Sequence, residues 1–317
     1  MSQETLIKAE HLTRYYGSNR AVDEVSFTLS KGEVLGFLGP NGAGKSTTMQ
    51  MLSGNLAPSA GHIEINGIDL LDNPREAKRE LGYLPEQPPL YRELTVAEYL
   101  RYCARLNRVA ASAISKAVRS AQERCGLGEV SRRLIGNLSK GFQQRVGIAQ
   151  AILHNPAVVI LDEPTVGLDP IQIREIRTLI RELGQNHGII LSTHILPEVQ
   201  GTCNRVQIIN RGRLVFSDSL SNLEQQTQAR YLIIELRNPP TLTDLESLAG
   251  VDEAEALSEH RFRLHFAGAS PAEAIAEQAC EHGWGLRELT PERRNLEQLF
   301  VELTAGDHRP APSGEAA

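Results

Sequence analysis

Gly39-Pro40-Asn41-Gly42-Ala43-Gly44-Lys45-Ser46 has the spacing G-x-x-x-x-G-K-[ST]. The glycines allow backbone N–H groups to turn inward around phosphate oxygens. A helix that starts at the loop points its positive N-terminal end at the same anion. In this arrangement Lys45 neutralises the outer phosphates, the Ser46 hydroxyl ligates Mg²⁺ and Thr47 reaches a further phosphate oxygen. A second cluster closes the apolar run Ala157–Leu161: Asp162 and Glu163, two adjacent carboxylates. Alternation along a strand would send them to different sides and give them different tasks. Asp162 suits the Mg²⁺ ligand and Glu163 the group that polarises an attacking water. His194 follows the apolar stretch Gly188–Thr193. It suits a sensor of the terminal phosphate, though a histidine at a strand end is also an ordinary structural residue.

These groups need strands that end together. Lys31–Leu38, Ala157–Leu161 and Gly188–Thr193 are short and apolar, as buried parallel strands are, and helical patterns lie between them. The expectation is an α/β fold, with a helix from about Lys45 to Leu52 after the glycine-rich turn. Residues 4–30 read as two strands broken at Gly17-Ser18-Asn19. Between about 86 and 137 the pattern turns helical, opening on Thr95 and Glu98 at capping-box spacing. The polar stretch 222–230 marks a boundary, and the alternating strands around 231–237 and 261–267 predict a small C-terminal α+β domain. There, Ser270-Pro271-Ala272-Glu273 reads as an N-cap, a first-turn proline and a capping glutamate. Thr290-Pro291 reads as the start of a last helix, with Leu296, Leu299, Phe300 and Leu303 along one face. The expected division is 1–225, 226–305 and a disordered tail at 306–317.

The net charge of −6 gives no basic footprint for nucleic acid. Cys103, Cys125, Cys203 and Cys280 form no close pairs, so reduced thiols are expected in place of a disulfide frame or zinc site. The first residues lack a secretory-signal pattern, and no apolar run approaches the ~20 residues of a membrane-spanning helix. A membrane role would therefore come through a partner.

Asn137-Leu138-Ser139-Lys140-Gly141-Phe142-Gln143-Gln144-Arg145 resembles the L-S-G-G-Q signature that separates ABC ATPases from other P-loop proteins. Its place between the phosphate loop and the paired carboxylates, behind a helical insertion, matches too, and the resemblance covers about residues 4–222. It implies a mixed sheet flanked by helices. It also implies ATP with Mg²⁺, and adenine stacking on Tyr16. Residues Gly39 to Thr47 become the Walker A motif, Leu138, Ser139, Lys140, Gly141 and Phe142 the signature, and Asp162 and Glu163 the end of Walker B. Asp169 falls in the D-loop, and His194 takes the switch position. With every hydrolytic group present, an active ATPase is implied. Ser139 can cap a helix whose N-terminus faces the γ-phosphate held by a second subunit, so a homodimer with ATP as the glue is expected.

Two places depart from the common pattern. In the signature Lys140 and Phe142 stand where a glycine and a glutamine are usual. Glu86 stands where a Q-loop glutamine is usual, with Gln87 next to it, so either Glu86 takes that role and reaches Mg²⁺ or the loop presents Gln87. These departures resemble a branch of ATP-binding subunits named for gliding motility and similar to ABC-2 type exporters. The family resemblance implies a separate integral-membrane permease, with this chain cytoplasmic and peripheral at the inner face of the cell membrane through it. It also implies a groove near Pro88, Pro89, Leu90 and Tyr91 for a permease helix, which local core packing would explain equally well. The C-terminal domain would support the dimer or touch the permease. The rival reading is a soluble ABC ATPase acting on nucleic acid or ribosomes. The long coiled coils or second cassette of such relatives are not seen, nor is the Asn-Lys-x-Asp motif of a GTPase.

Overall fold

The computed structural model describes residues 4–226, 231–268, 270–292, 296, 300, 301 and 304. In chain order, β1 (Thr5–Tyr16) and β2 (Asn19–Ser30) form a hairpin, and β3 (Val34–Leu38) leads into α1 (Lys45–Leu52). Next come β4 (Ala60–Ile65), β5 (Ile68–Asp69), α2 (Pro74–Ala77) and β6 (Leu81–Leu84). The helical insertion holds α3 (Val96–Leu106) and α4 (Ile114–Arg124), and α5 (Lys140–Ile152) leaves it. Then follow β7 (Val158–Asp162), α6 (Pro170–Gly184), β8 (Gly188–Thr193), α7 (Leu196–Thr202), β9 (Arg205–Asn210), β10 (Arg213–Ser219) and α8 (Leu220–Gln226). The C-terminal part contains β11 (Tyr231–Leu236), α9 (Leu242–Glu246), β12 (Glu253–Ala256), β13 (Arg261–His265), α10 (Ala272–Glu281) and β14 (Leu286–Glu292).

The described residues fall into two compact units, one within Met1–Leu220 together with Thr304, the other within Ser221–Glu302. The first unit has two sheets. One is antiparallel, in the order β2-β1-β4-β5. The other runs β10-β9-β3-β8-β7-β6 and is parallel from β9 to β6, with β10 antiparallel at its edge. The sheet is therefore mixed, and the hairpin strands expected at the start belong to a sheet of their own. Ile7, Val25 and Ile63 from the antiparallel sheet meet Phe37, Val158 and Ile190 from the parallel one, with Met49, Met51 and Leu52 of α1 in the same core. Every residue of β3, β7 and β8 is buried, which is why these strands read as unbroken apolar runs.

Register sets where the site forms. Leu38 of β3 pairs with Thr193 of β8, and Asp162 of β7 with Ser192 of β8. Three chain segments thus leave the sheet side by side at its carboxyl edge, where open α/β sheets place their ligands. The insertion is pinned at its start: Thr95 Oγ1 accepts from Glu98 N while the Glu98 carboxylate accepts from Thr95 N at 2.9 Å.

The second unit is an antiparallel sheet, β12-β13-β11-β14, with a core of Leu232, Ile234, Phe262, Leu264 and Ile275. Two expected helix starts are corrected here. The cap residue of α10 is Pro271, whose carbonyl accepts from Ile275 N at 2.9 Å; Ser270 does not cap it. Thr290 and Pro291 belong to β14, paired with Ile233 and Leu232. β14 is the edge strand, where the missing N–H of a proline costs no ladder bond. Leu296 is buried; Leu299, Leu303 and the tail 306–317 lie outside the described residues.

Candidate nucleotide site

Beyond β3 the chain makes a tight loop that only glycine permits at two points. Gly44 has φ 108°, and a Cβ there would lie 2.6 Å from the Ala21 carbonyl oxygen. At Gly39 a Cβ would lie 2.4 Å from the Ile209 carbonyl oxygen. The loop ends at Lys45, the first residue of α1, so the N–H groups of that helix face the loop. Lys45 is buried, and its Nζ donates to the carbonyls of Gly39 (2.7 Å) and Pro40 (3.2 Å). Burial holds the ammonium below the usual lysine range, opposed chiefly by the carboxylates of Glu163 and Asp162.

Glu163 is buried and its Oε1 lies 3.7 Å from Lys45 Nζ. The strand ends at Asp162, and Glu163 takes the left-handed conformation with φ 48°. Its N–H is held by the Ser192 carbonyl at 2.9 Å. The extended strand whose alternation the sequence reading invoked therefore stops at Asp162 and does not continue into Glu163. A glutamate in this region is strained, and such strain concentrates at functional sites. His194 Nδ1 stands 3.0 Å from both Glu163 carboxylate oxygens, so its N–H can orient the carboxylate. Burial raises Glu163 above the usual carboxylate range, with His194 and then Lys45 opposing it.

Asp162 is also buried and also raised by burial, against the nearby Ser192 and Ser46 hydroxyls. Its Oδ1 has no hydrogen-bond partner among the described residues. A buried carboxylate oxygen left without a donor, next to Ser46, is the arrangement a hard cation satisfies.

A cleft of about 390 Å³ gathers Asn41, Gly42, Gly44, Lys45, Ser46, Thr47, Glu86, Glu163 and His194. Glu86 lines it and Gln87 does not. Glu86 bears electrostatically on both Asp162 and Lys45. Among the expected site residues Gly39, Pro40, Ala43 and Asp162 lie behind the lining, as the loop's own frame and the strand end. Tyr16 is not in the lining; it is exposed at the end of β1 with the Arg14 guanidinium 5.2 Å from its ring centre.

Leu138, Ser139, Lys140, Gly141 and Phe142 are also absent from this lining. Two of them, Lys140 and Gly141, meet the segment that holds Gly167 and Gln172. Ser139 Oγ accepts from Phe142 N at 3.4 Å and caps α5. A Cβ on Gly141 would meet the side chain of Gln172 at 2.6 Å, and one on Gly167 would meet Lys140 Nζ at 2.1 Å. The Lys140 ammonium thus packs over Gly167. Asp169 caps α6 by accepting from Ile171 N (3.0 Å) and Gln172 N (2.9 Å).

A separate groove of about 560 Å³ includes Pro85, Pro89, Tyr91, Tyr99, Tyr102 and Leu106. Tyr91 packs on Tyr99 and Tyr102 at centroid distances of 6.1 and 5.5 Å, yet Tyr91, Tyr102 and Leu106 remain exposed. Sequence reasoning missed Glu198, a buried carboxylate behind the site, because nothing in its neighbourhood marks it as polar interior.

A family model described as "ABC transporter" matches residues 22–166. The bacitracin transport ATP-binding protein BcrA of Bacillus licheniformis is 34% identical over 305 residues, 95% of this chain and 98% of its own length. The linearmycin resistance ATP-binding protein LnrL of Bacillus subtilis is 31% identical over 307 residues, 94% of this chain and 98% of its own. Among solved structures, an ATP-binding subunit of an ABC transporter superposes with a TM-score of 0.63 at 33% identity, covering 70% of this chain and 92% of that one.

Proposed function

From its place among the ATP-binding subunits of ABC transporters, to which this chain belongs and which makes it an ATPase, we propose that it works in pairs to drive export through a separate membrane permease. The observation that carries this reading is the separation of the site into two halves. Lys45, Ser46, Glu163 and His194 share one cleft, while the capped N-terminus of α5 with Ser139 and Gly141 lies outside that cleft. A helix end of this kind favours an anion. In a head-to-tail homodimer each α5 would face the phosphates bound by the other chain, so ATP closes the pair and hydrolysis releases it.

Within each cleft the Walker A backbone and Lys45 hold the phosphates, and Glu163, fixed by His194, accepts a proton from the attacking water. Asp162 and Ser46, with Glu86 at the rim, would hold Mg²⁺. When bound, that ion supplies charge neutralisation across the outer phosphates. Tyr16 would stack on adenine by turning from Arg14.

The tyrosine-lined groove supports the permease half of the reading: a short amphipathic helix of the membrane subunit would lie on Tyr91, Tyr102 and Leu106. No helix among the described residues is long and apolar enough to cross a membrane, so a peripheral position at the inner face of the membrane would come through this contact. Export as the direction follows the names of the relatives, one a transport protein for bacitracin and one a resistance protein for linearmycin. Sedimentation of the Glu163→Gln chain tests the pairing. ATP should convert it from monomer to dimer, and a monomer at saturating ATP would reject the two-chain site.

A further inference from the structure

Glu198 lies on α7, is 1% exposed, and forms no ion pair with a cation among the described residues. A carboxylate so placed is costly unless donors surround it. Here the donors are two threonine hydroxyls from different segments. Thr165 Oγ1 donates to Glu198 Oε1, and Thr193 Oγ1 donates to Glu198 Oε2 at 2.7 Å. Thr165 and Thr193 are themselves buried, at 4% and 0% exposure. Thr193 Oγ1 also accepts from Ile195 N at 3.1 Å, so its hydroxyl is fixed in both roles.

The positions of the two donors give the carboxylate its significance. Thr165 is two residues beyond Glu163, in the turn where Val166 N and Leu168 N donate to the carbonyls of Glu163 and Thr165. Thr193 immediately precedes His194. Glu198 therefore ties together from the interior the same two segments that Glu163 and His194 tie together at the cleft. The turn it holds contains the left-handed backbone of Glu163, a conformation that persists only where the surroundings enforce it.

We propose that Glu198 is a positioning residue for hydrolysis: through Thr165 and Thr193 it sets the separation and orientation of Glu163 and His194. It does not line the cleft that holds Lys45, Glu163 and His194. The inference rests on Glu163 and His194 being the hydrolytic pair. Two acceptor oxygens match two hydroxyls, so the carboxylate fits both donors at once. Glutamine at this position would offer one acceptor and one donor, so whichever threonine faced the amide nitrogen would lose the acceptor for its own hydrogen.

The test uses the full-length chain with Thr165→Val, Thr193→Val, Glu198→Gln, Thr165→Ser and Thr193→Ser. Valine keeps the branched shape and removes the hydroxyl, whereas serine keeps the hydroxyl. Affinity for a fluorescent ATP analogue, kcat, and thermal midpoint are measured for each. The proposal predicts that kcat falls roughly 10- to 100-fold in the valine and glutamine variants, the scale expected for sub-ångström to ångström misplacement of a reacting group. Nucleotide affinity should stay within about threefold by the same reasoning, since phosphate contacts come from elsewhere, and the serine variants should recover most of kcat. The proposal is overturned if kcat per folded molecule is unchanged in the valine variants, if affinity falls in step with kcat, or if serine fails to rescue. Should Glu198→Gln not fold, the threonine variants carry the same decision. Glu163→Gln is the separate control: wild-type turnover in that variant would remove the hydrolytic pair itself, whatever the Glu198 variants do.

Discussion

Glu163 and Lys45 sit 3.7 Å apart in a buried pocket, and burial pushes each toward its neutral form. The consequence for pH has a definite sign. In the proposed role Glu163 must be ionised to accept a proton, and burial means that it becomes protonated at a higher pH than an ordinary glutamate does. The acid limb of kcat should therefore lie above the usual carboxylate range, with turnover lost as pH falls through it. In Glu163→Gln that limb should disappear along with at least ~100-fold of kcat, since general-base catalysis is worth that much or more. A pH series of both proteins checks this, and an acid limb that survives in the variant would assign it to another group. The phosphate loop and paired carboxylates were legible because a local spacing encodes them. The left-handed turn at Glu163 was not, because glutamate carries no signal for it. Nor was the link from Glu198 to Thr165, whose partners are 33 residues apart.

At the scale of single elements, two capped helices separate folding from function. Thr95 caps α3 and Ser139 caps α5. Each cap replaced by alanine should cost about 1 kcal/mol of stability. Thr95→Ala should do only that, leaving ATP-driven pairing of the Glu163→Gln background intact. Ser139→Ala should lose a similar amount and also weaken pairing, because its helix end is the proposed second anion site. Denaturant midpoints and sedimentation separate the two effects, and equal pairing in both variants would contradict the role given to Ser139. The Thr95 cap was readable from its spacing to Glu98, and the Ser139 cap followed from the resemblance to the signature motif. Thr290-Pro291 carried the same helix-start signal and proved to be strand. Proline is tolerated on an edge strand, and the pairing of β14 with β11 is a long-range fact that no local pattern states.

For the molecule as a whole, the parallel sheet explains why residues from 39 to 194 converge. Register between β3, β8 and β7 brings three loops to one edge, and apolar strand patterns predicted those strands. The antiparallel sheet of the first unit was less legible. Its strands read correctly one by one, but their separation from the main sheet depends on pairing of β1 with β4, some 50 residues away. The C-terminal unit shows the same contrast. β11 and β13 alternate cleanly and were expected, whereas β12 is short and mostly exposed and left no pattern to read.

Coupling of this ATPase to a membrane permease can be read from purification of the Glu163→Gln chain out of detergent-solubilised membranes in ATP. A polytopic membrane protein should co-purify in fixed stoichiometry with a dimer of this chain and be released when Tyr91 and Leu106 of the groove are replaced by charged residues. A dimer free of membrane protein, or one carrying ribosomes or DNA, would contradict transport while leaving the ATPase in place.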